Sequence, residues 1–171
     1  MPLAYVGNQY DRDTAFSTYF APAAAVHRHL VAGKWARTEA WPHVSFTGRV
    51  PFTEVEGIHG RALATVLLLP EQYAQVGQMT QRLFEAVLAG CLPLTPSSIR
   101  SAELFTPARL HVADGTAVTT MLTRLQDITG TAEHAELIAD CLQALDVFRL
   151  SRQLDVLDRL LSTRTASQVT S

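Results

Sequence analysis

The stretch Met79-Thr80-Gln81-Arg82-Leu83-Phe84-Glu85-Ala86-Val87-Leu88-Ala89-Gly90-Cys91-Leu92-Pro93-Leu94 reads as a helix that stops at a glycine and passes almost at once into an apolar strand. On a 3.6-residue period Thr80, Leu83, Phe84 and Val87 share one side, while Gln81, Arg82, Glu85 and Ala89 share the other. The pattern predicts Arg82 and Glu85 as neighbours on a polar face. Thr80 is the expected N-cap, Gly90 the left-handed stop, and Cys91 to Leu94 a buried strand.

Working outward, Leu3 to Val6 reads as a first strand, followed by the polar turn Gly7 to Asp13 and a helical segment to about Val26 that Pro22 is expected to break. Leu30 to Ala32 and Val44 to Thr47 are short strands, each followed by a glycine and a basic residue, Gly33-Lys34 and Gly48-Arg49. Pro51 to Arg61 reads as a helix with proline in its first turn. Ala62 to Leu69 is apolar without alternation, the mark of a strand covered on both faces and therefore of a parallel sheet. Leu110 to Val112 is a last short strand. Three helices follow, with stripes Val118, Met121, Leu122, Leu125, then Leu137, Ile138, Cys141, Leu142, Leu145, then Leu150, Leu154, Leu157, Leu161. Alternating strands and helices predict an open, doubly wound, mostly parallel α/β sheet with a helical C-terminus, residues 1–162 forming one domain and 163–171 a polar flexible tail.

Composition narrows the partners. With 171 residues, 14 basic and 16 acidic, the formal charge is −2, which leaves no electrostatic footprint for nucleic acid or an anionic membrane. No apolar run reaches bilayer-spanning length and no leader segment is visible, so membrane insertion is not expected. Cys91 and Cys141 both fall at apolar positions and read as reduced core residues of a cytoplasmic protein. The six histidines lack metal-ligand spacing, so no metal site is expected. Ser97 and Ser98 lack the glycine pattern of a nucleophile elbow, and neither a GxGxxG after the first strand nor a P-loop lysine is present. Trp35 and Trp41, flanking the polar stretch Ala36 to Glu39, read as the edge of the core.

The segment from Arg82 to Pro93, with a glutamate, an alanine-bearing turn, a glycine, a small residue and a proline, resembles the nucleotide-sugar signature in the C-terminal domain of GT-B glycosyltransferases. The order of strands, basic loops and helices from Leu3 to about Leu125 is similar to that Rossmann-like domain. The resemblance implies that Glu85 accepts hydrogen bonds from the vicinal ribose hydroxyls of a nucleotide sugar, a task for which an ionised carboxylate has two acceptor oxygens. It implies that Met79, Thr80 and Gln81 neighbour the diphosphate, with Arg82 adding charge. It also places Arg12 and Lys34 as basic residues near the phosphates and Gly48 and Arg49 at the base. No cofactor beyond the donor itself is implied.

Two features depart from that family. The second glutamate carried by many retaining members, eight positions before the ribose-binding one, is Gly77 here. The resemblance covers one of the two domains of such enzymes and not the acceptor-binding half, so the chain alone is expected to be inactive and to meet a separate acceptor-domain chain or a second copy of itself. The alternatives are a non-catalytic module that binds nucleotides or other proteins, and an unrelated α/β enzyme. The first would use the Leu150 to Leu161 stripe for docking. The second has no dinucleotide or phosphoryl-transfer motif to support it.

Overall fold

Six strands lie side by side in the computed structural model, which describes the backbone of residues 1–169 and the side chains of 1–162. They are β1 (Leu3–Val6), β2 (His29–Ala32), β3 (Phe46–Gly48), β4 (Ala64–Val66), β5 (Leu92–Pro96) and β6 (His111–Val112). The central β4 and β5 are buried along their whole length, while the edge strand β3 is largely exposed. Every neighbouring pair is parallel and the order is β3-β2-β1-β4-β5-β6. This is the doubly wound sheet expected. The chain moves outward from β1 in one direction and from β4 in the other, so the connections diverge and leave a crevice at the carboxyl ends of these two strands.

Side-chain size sorts the two faces. Leu3 and Tyr5 of β1 join the larger core with Phe16, Phe20, Val31 and Val44, whereas Ala4 and Ala32 face a smaller core with Ile58, Ala62, Ala86 and Cys91. The alanines let helices α3 (Phe52–His59) and α5 (Arg82–Leu88) lie close to the sheet on that side. On the other side runs a rod made of α1 (Asp13–Ala15), a π-helical turn (Phe16–Phe20) and α2 (Ala21–Ala24), against which α6 (Gly115–Ile128) packs. Helix α7 (Ala132–Ala144) lies against α5 and β5, and α8 (Leu150–Val169) follows. Both cysteines are buried free thiols; burial pushes Cys141 up to about 12 and Cys91 higher still.

Several boundaries differ from the sequence expectation. Pro22 does not break the helix. The π-helical turn precedes it, with the Ala21 N–H donating to the Phe16 carbonyl five residues back, and Pro22 then occupies the first turn of α2, where its missing donor is tolerated. Of Ala62 to Leu69 only Ala64–Val66 join the ladder, while Leu67, Leu68 and Leu69 stay buried in the connection beyond. Thr80 is not the N-cap of α5: Gln81 holds that place with helical dihedrals and no capping side chain. Gly90 does end the helix, at φ 77°. The sequence reading had no helix at α4 (Glu71–Val76), although Pro70, Glu71 and the left-handed Gly77 are ordinary start and stop signals. The tail expected over 163–171 lies outside the residues whose side chains are described.

Close approach at the crevice depends on Gly33. Its φ is 142°, and a Cβ there would fall on the backbone carbonyl of Gly7 in the loop after β1. Neither the dihedral nor the contact can relax through a flexible side chain. Gly33→Ala is therefore expected to destabilise the fold by roughly 3 kcal/mol or more, the upper range of single substitutions. The check is a lower urea midpoint at unchanged slope.

Candidate functional site

The loop after β1 is held by the end of β2 and the loop that follows it. Gly7 donates its N–H to the Ala32 carbonyl (2.8 Å) and accepts from Trp35 Nε1 (2.8 Å). Asn8 Oδ1 accepts from the Lys34 N–H (2.8 Å), and Gln9 exchanges bonds with Lys34 O and the Ala36 N–H (3.0 and 2.9 Å). Trp35 and Trp41, in the loop after β2, meet the rings of Phe16 and Phe46 in tilted and edge-on contacts, so both tryptophans belong to the core edge, as expected. A loop fixed by this many bonds is organised before any ligand arrives.

Two arginines close the ends of β1 and β4. Arg12, only 4% exposed, donates from Nε to the Leu68 carbonyl just beyond β4 (2.9 Å) and from Nη1 to the carbonyls of Tyr10 (2.9 Å) and Asn8 (3.3 Å). Arg82, in the first turn of α5, donates from Nε to the Val6 carbonyl that ends β1 (2.8 Å). A Cβ on Gly7 would overlap the Arg82 guanidinium, so glycine at that position is what admits the arginine. Among the described residues neither arginine has a carboxylate within ion-pair distance; the ion pairs belong to Arg37, Arg109, Arg124, Arg149 and Arg152. Burial holds the Arg12 pKa below its ordinary value; Tyr5 opposes that shift and Arg82 adds to it.

Tyr5 lies between them. Its ring faces Arg82 at 5.8 Å, its phenol is fully buried without a hydrogen-bond partner, and burial raises its pKa against the opposing pull of Arg82 and Arg12. The result is a patch of positive charge set in low-dielectric surroundings and satisfied only by neutral carbonyls. Such a patch favours an anion.

Beside it is a cavity of about 340 Å³ lined by Val6 and Gly7 of the β1 end, Phe52 and Val55 of α3, and Thr80, Gln81, Arg82 and Glu85 at the start of α5. Of the residues picked out in the sequence, Thr80, Gln81, Arg82 and Glu85 therefore meet in one place. Glu85 is half-buried and accepts from Gln81 Nε2 (3.1 Å) rather than from Arg82, whose Nε bonds the strand end. Arg12 lies at the adjacent strand end, its charge felt by Tyr5. Met79 packs against the core instead of lining the cavity. Lys34 is exposed and touches the β1 loop through its backbone. Gly48 ends β3 and Arg49 follows it toward α3, both exposed. The sequence reading missed Gly7, Tyr5, Phe52 and Val55; the glycine directly after the first strand was the available signal.

The fold resembles known structures. The chain matches T4 phage BGT solved with UDP and Mn2+ at TM-score 0.73 and 14% identity, over 93% of this chain and 47% of that one. The DNA-modifying enzyme β-glucosyltransferase, solved in the presence and absence of uridine diphosphoglucose, gives 0.76 at 14%, over 93% and 51%. The catalytic domain of cholesterol-α-glucosyltransferase from Helicobacter pylori gives 0.61 at 15%, over 85% and 98%. The fold is that of a GT-B-like domain. This GT-B-like chain spans about half the length of the first two of these structures. No protein-family model matches it, and no curated protein does. Among the described residues no helix is long and apolar enough to cross a membrane, and no three His, Cys, Asp or Glu side chains gather as for a metal ion.

Helix α3 carries a titration test. His59, fully buried, has no partner on either ring nitrogen, and burial, with a smaller contribution from Arg82, lowers its pKa from 6.5 to about 4. The folded state therefore binds fewer protons than the unfolded state between these values. The stability linked to this residue is complete above pH 6.5 and is lost as pH falls toward 4, about 3 kcal/mol in all. His59→Phe should flatten this acid limb, measured by urea unfolding near pH 7 and near pH 4.

Proposed function

We propose that the chain is the nucleotide-sugar-binding part of a glycosyltransferase. The observation that carries the reading is the pair of carbonyl-bound arginines, Arg12 and Arg82, without a carboxylate counter-ion, beside a cavity that also holds Glu85. Arg82 neutralises the diphosphate, with Arg12 adding to the field behind it. Glu85, whose second carboxylate oxygen is not taken up by Gln81, accepts the ribose hydroxyls. The fold's likeness to UDP-sugar enzymes supports the same ligand class. Lys34, Gly48 and Arg49 form the outer rim in this reading, and the donor itself is the only small molecule required.

Transfer then depends on a second half, because donor and acceptor must be held together with a base in reach of the acceptor hydroxyl. Leu150, Leu154 and Leu157 are exposed along α8, which gives that half, or a second copy, a surface to cover.

Calorimetry against UDP, GDP, ADP and dTDP should reveal weak binding with a preference among bases. Glu85→Gln should weaken it by roughly tenfold and more than Glu85→Asp, because the amide loses a charged acceptor worth about 1.5–3 kcal/mol. Equal affinity for the Gln variant rules out the ribose role. Silence with every nucleotide favours the interaction module.

A further inference from the structure

A second cleft, of about 610 Å³, opens on the same carboxyl edge and shares no lining residue with the Arg82 cavity. It lies on the side of the sheet covered by the α1–α2 rod. Its walls are that rod and α4, and its floor is formed by the residues just beyond β4 and β5. We propose that this cleft is a second ligand site, taking a neutral polyhydroxylated molecule such as a glycan. The assignment stands independently of the nucleotide reading; if both hold, one edge of the sheet carries two ligands of different charge.

The floor is apolar, formed by buried Leu67, Leu69 and Ile99, and suits the C–H face of a pyranose ring. The rim is rich in acceptors, Asp11, Asp13 and Glu71, with Thr14 and Thr18 able to give or take a hydrogen bond. One wall is fixed by the bond between Tyr19 Oη and Ser98 Oγ (3.2 Å), Tyr19 being only 8% exposed.

Charge selects the ligand class. Three carboxylates face one guanidinium, Arg37, so a nucleoside diphosphate is repelled here while the Arg82 cavity attracts it. A metal cation has no ligand cage here, because among the described residues no three His, Cys, Asp or Glu side chains gather as for a metal ion. Asp13 is neutralised by Arg37 (2.5 Å) and accepts from Gln9 (2.8 Å), while Glu71 accepts from Gln75 Nε2 (3.1 Å) and keeps its charge. What remains is acceptor capacity over an apolar floor, which matches neutral hydroxyl donors.

The test is a backbone-amide NMR titration of the whole chain with neutral methyl glycosides and maltotriose. Saturable shifts that do not weaken with salt are expected at Thr14, Thr18, Gln72 and Ile99, with Gly7 and Arg82 unmoved. Thr18→Trp, which fills the cleft from an exposed helix position, should weaken this binding roughly tenfold or more. Gln72→Trp on the opposite wall should do the same if the first variant folds poorly. UDP titrated into either variant should behave as with the parent, which separates failure of this site from failure of the nucleotide reading. The proposal is overturned by the absence of saturable shifts with every glycoside, by glycoside binding that survives both tryptophans, or by inorganic diphosphate or spermine moving these residues where glycosides do not.

Discussion

Two guanidinium groups tie down the point where the sheet changes direction. Arg12 reaches the carbonyl beyond β4 and Arg82 the carbonyl that ends β1, so the crevice required by the strand order is stitched by cations rather than left to water. A parallel sheet exposes carbonyls at its carboxyl edge, and a positive side chain there satisfies them while keeping its charge. That charge is unmatched by a carboxylate among the described residues. The same bonds therefore complete the fold and leave the positive charge that the proposed nucleotide site draws on.

The surrounding structure serves that arrangement. Gly7 leaves room for Arg82, Gly33 lets the loop after β1 lie against the end of β2, and Trp35 fixes the Gly7 carbonyl from below. Alanines at Ala4, Ala32 and Ala86 bring α5 near the sheet, which carries Arg82 to the strand end and Glu85 to the cavity. Replacing any of these small residues moves the charge as well as the packing.

Much of this was legible in the sequence. The unbroken apolar stretch around Val66 announced a parallel sheet, because a strand covered on both faces has no polar alternation, and the glycine stop at Gly90 fixed the register of the Arg82 and Glu85 helix. Less legible was anything set by long-range contact. The expectation of Arg82 as a neighbour of Glu85 followed from helical periodicity, yet its Nε bonds a carbonyl 76 residues away in sequence, which no local pattern encodes. Arg12 looked like a turn residue among acids and is instead almost wholly buried. Helix α4 leaves no periodic signature despite its start and stop signals, because its six residues have no buried stripe to create a period.

The central claim is that the two arginines and Glu85 form one nucleotide site, and a crystal structure of the chain with UDP tests it most directly. The account predicts diphosphate oxygens within hydrogen-bonding distance of the Arg82 guanidinium, with the ribose hydroxyls on the Glu85 carboxylate. Nucleotide bound elsewhere, with the cavity between α3 and α5 empty, would contradict it.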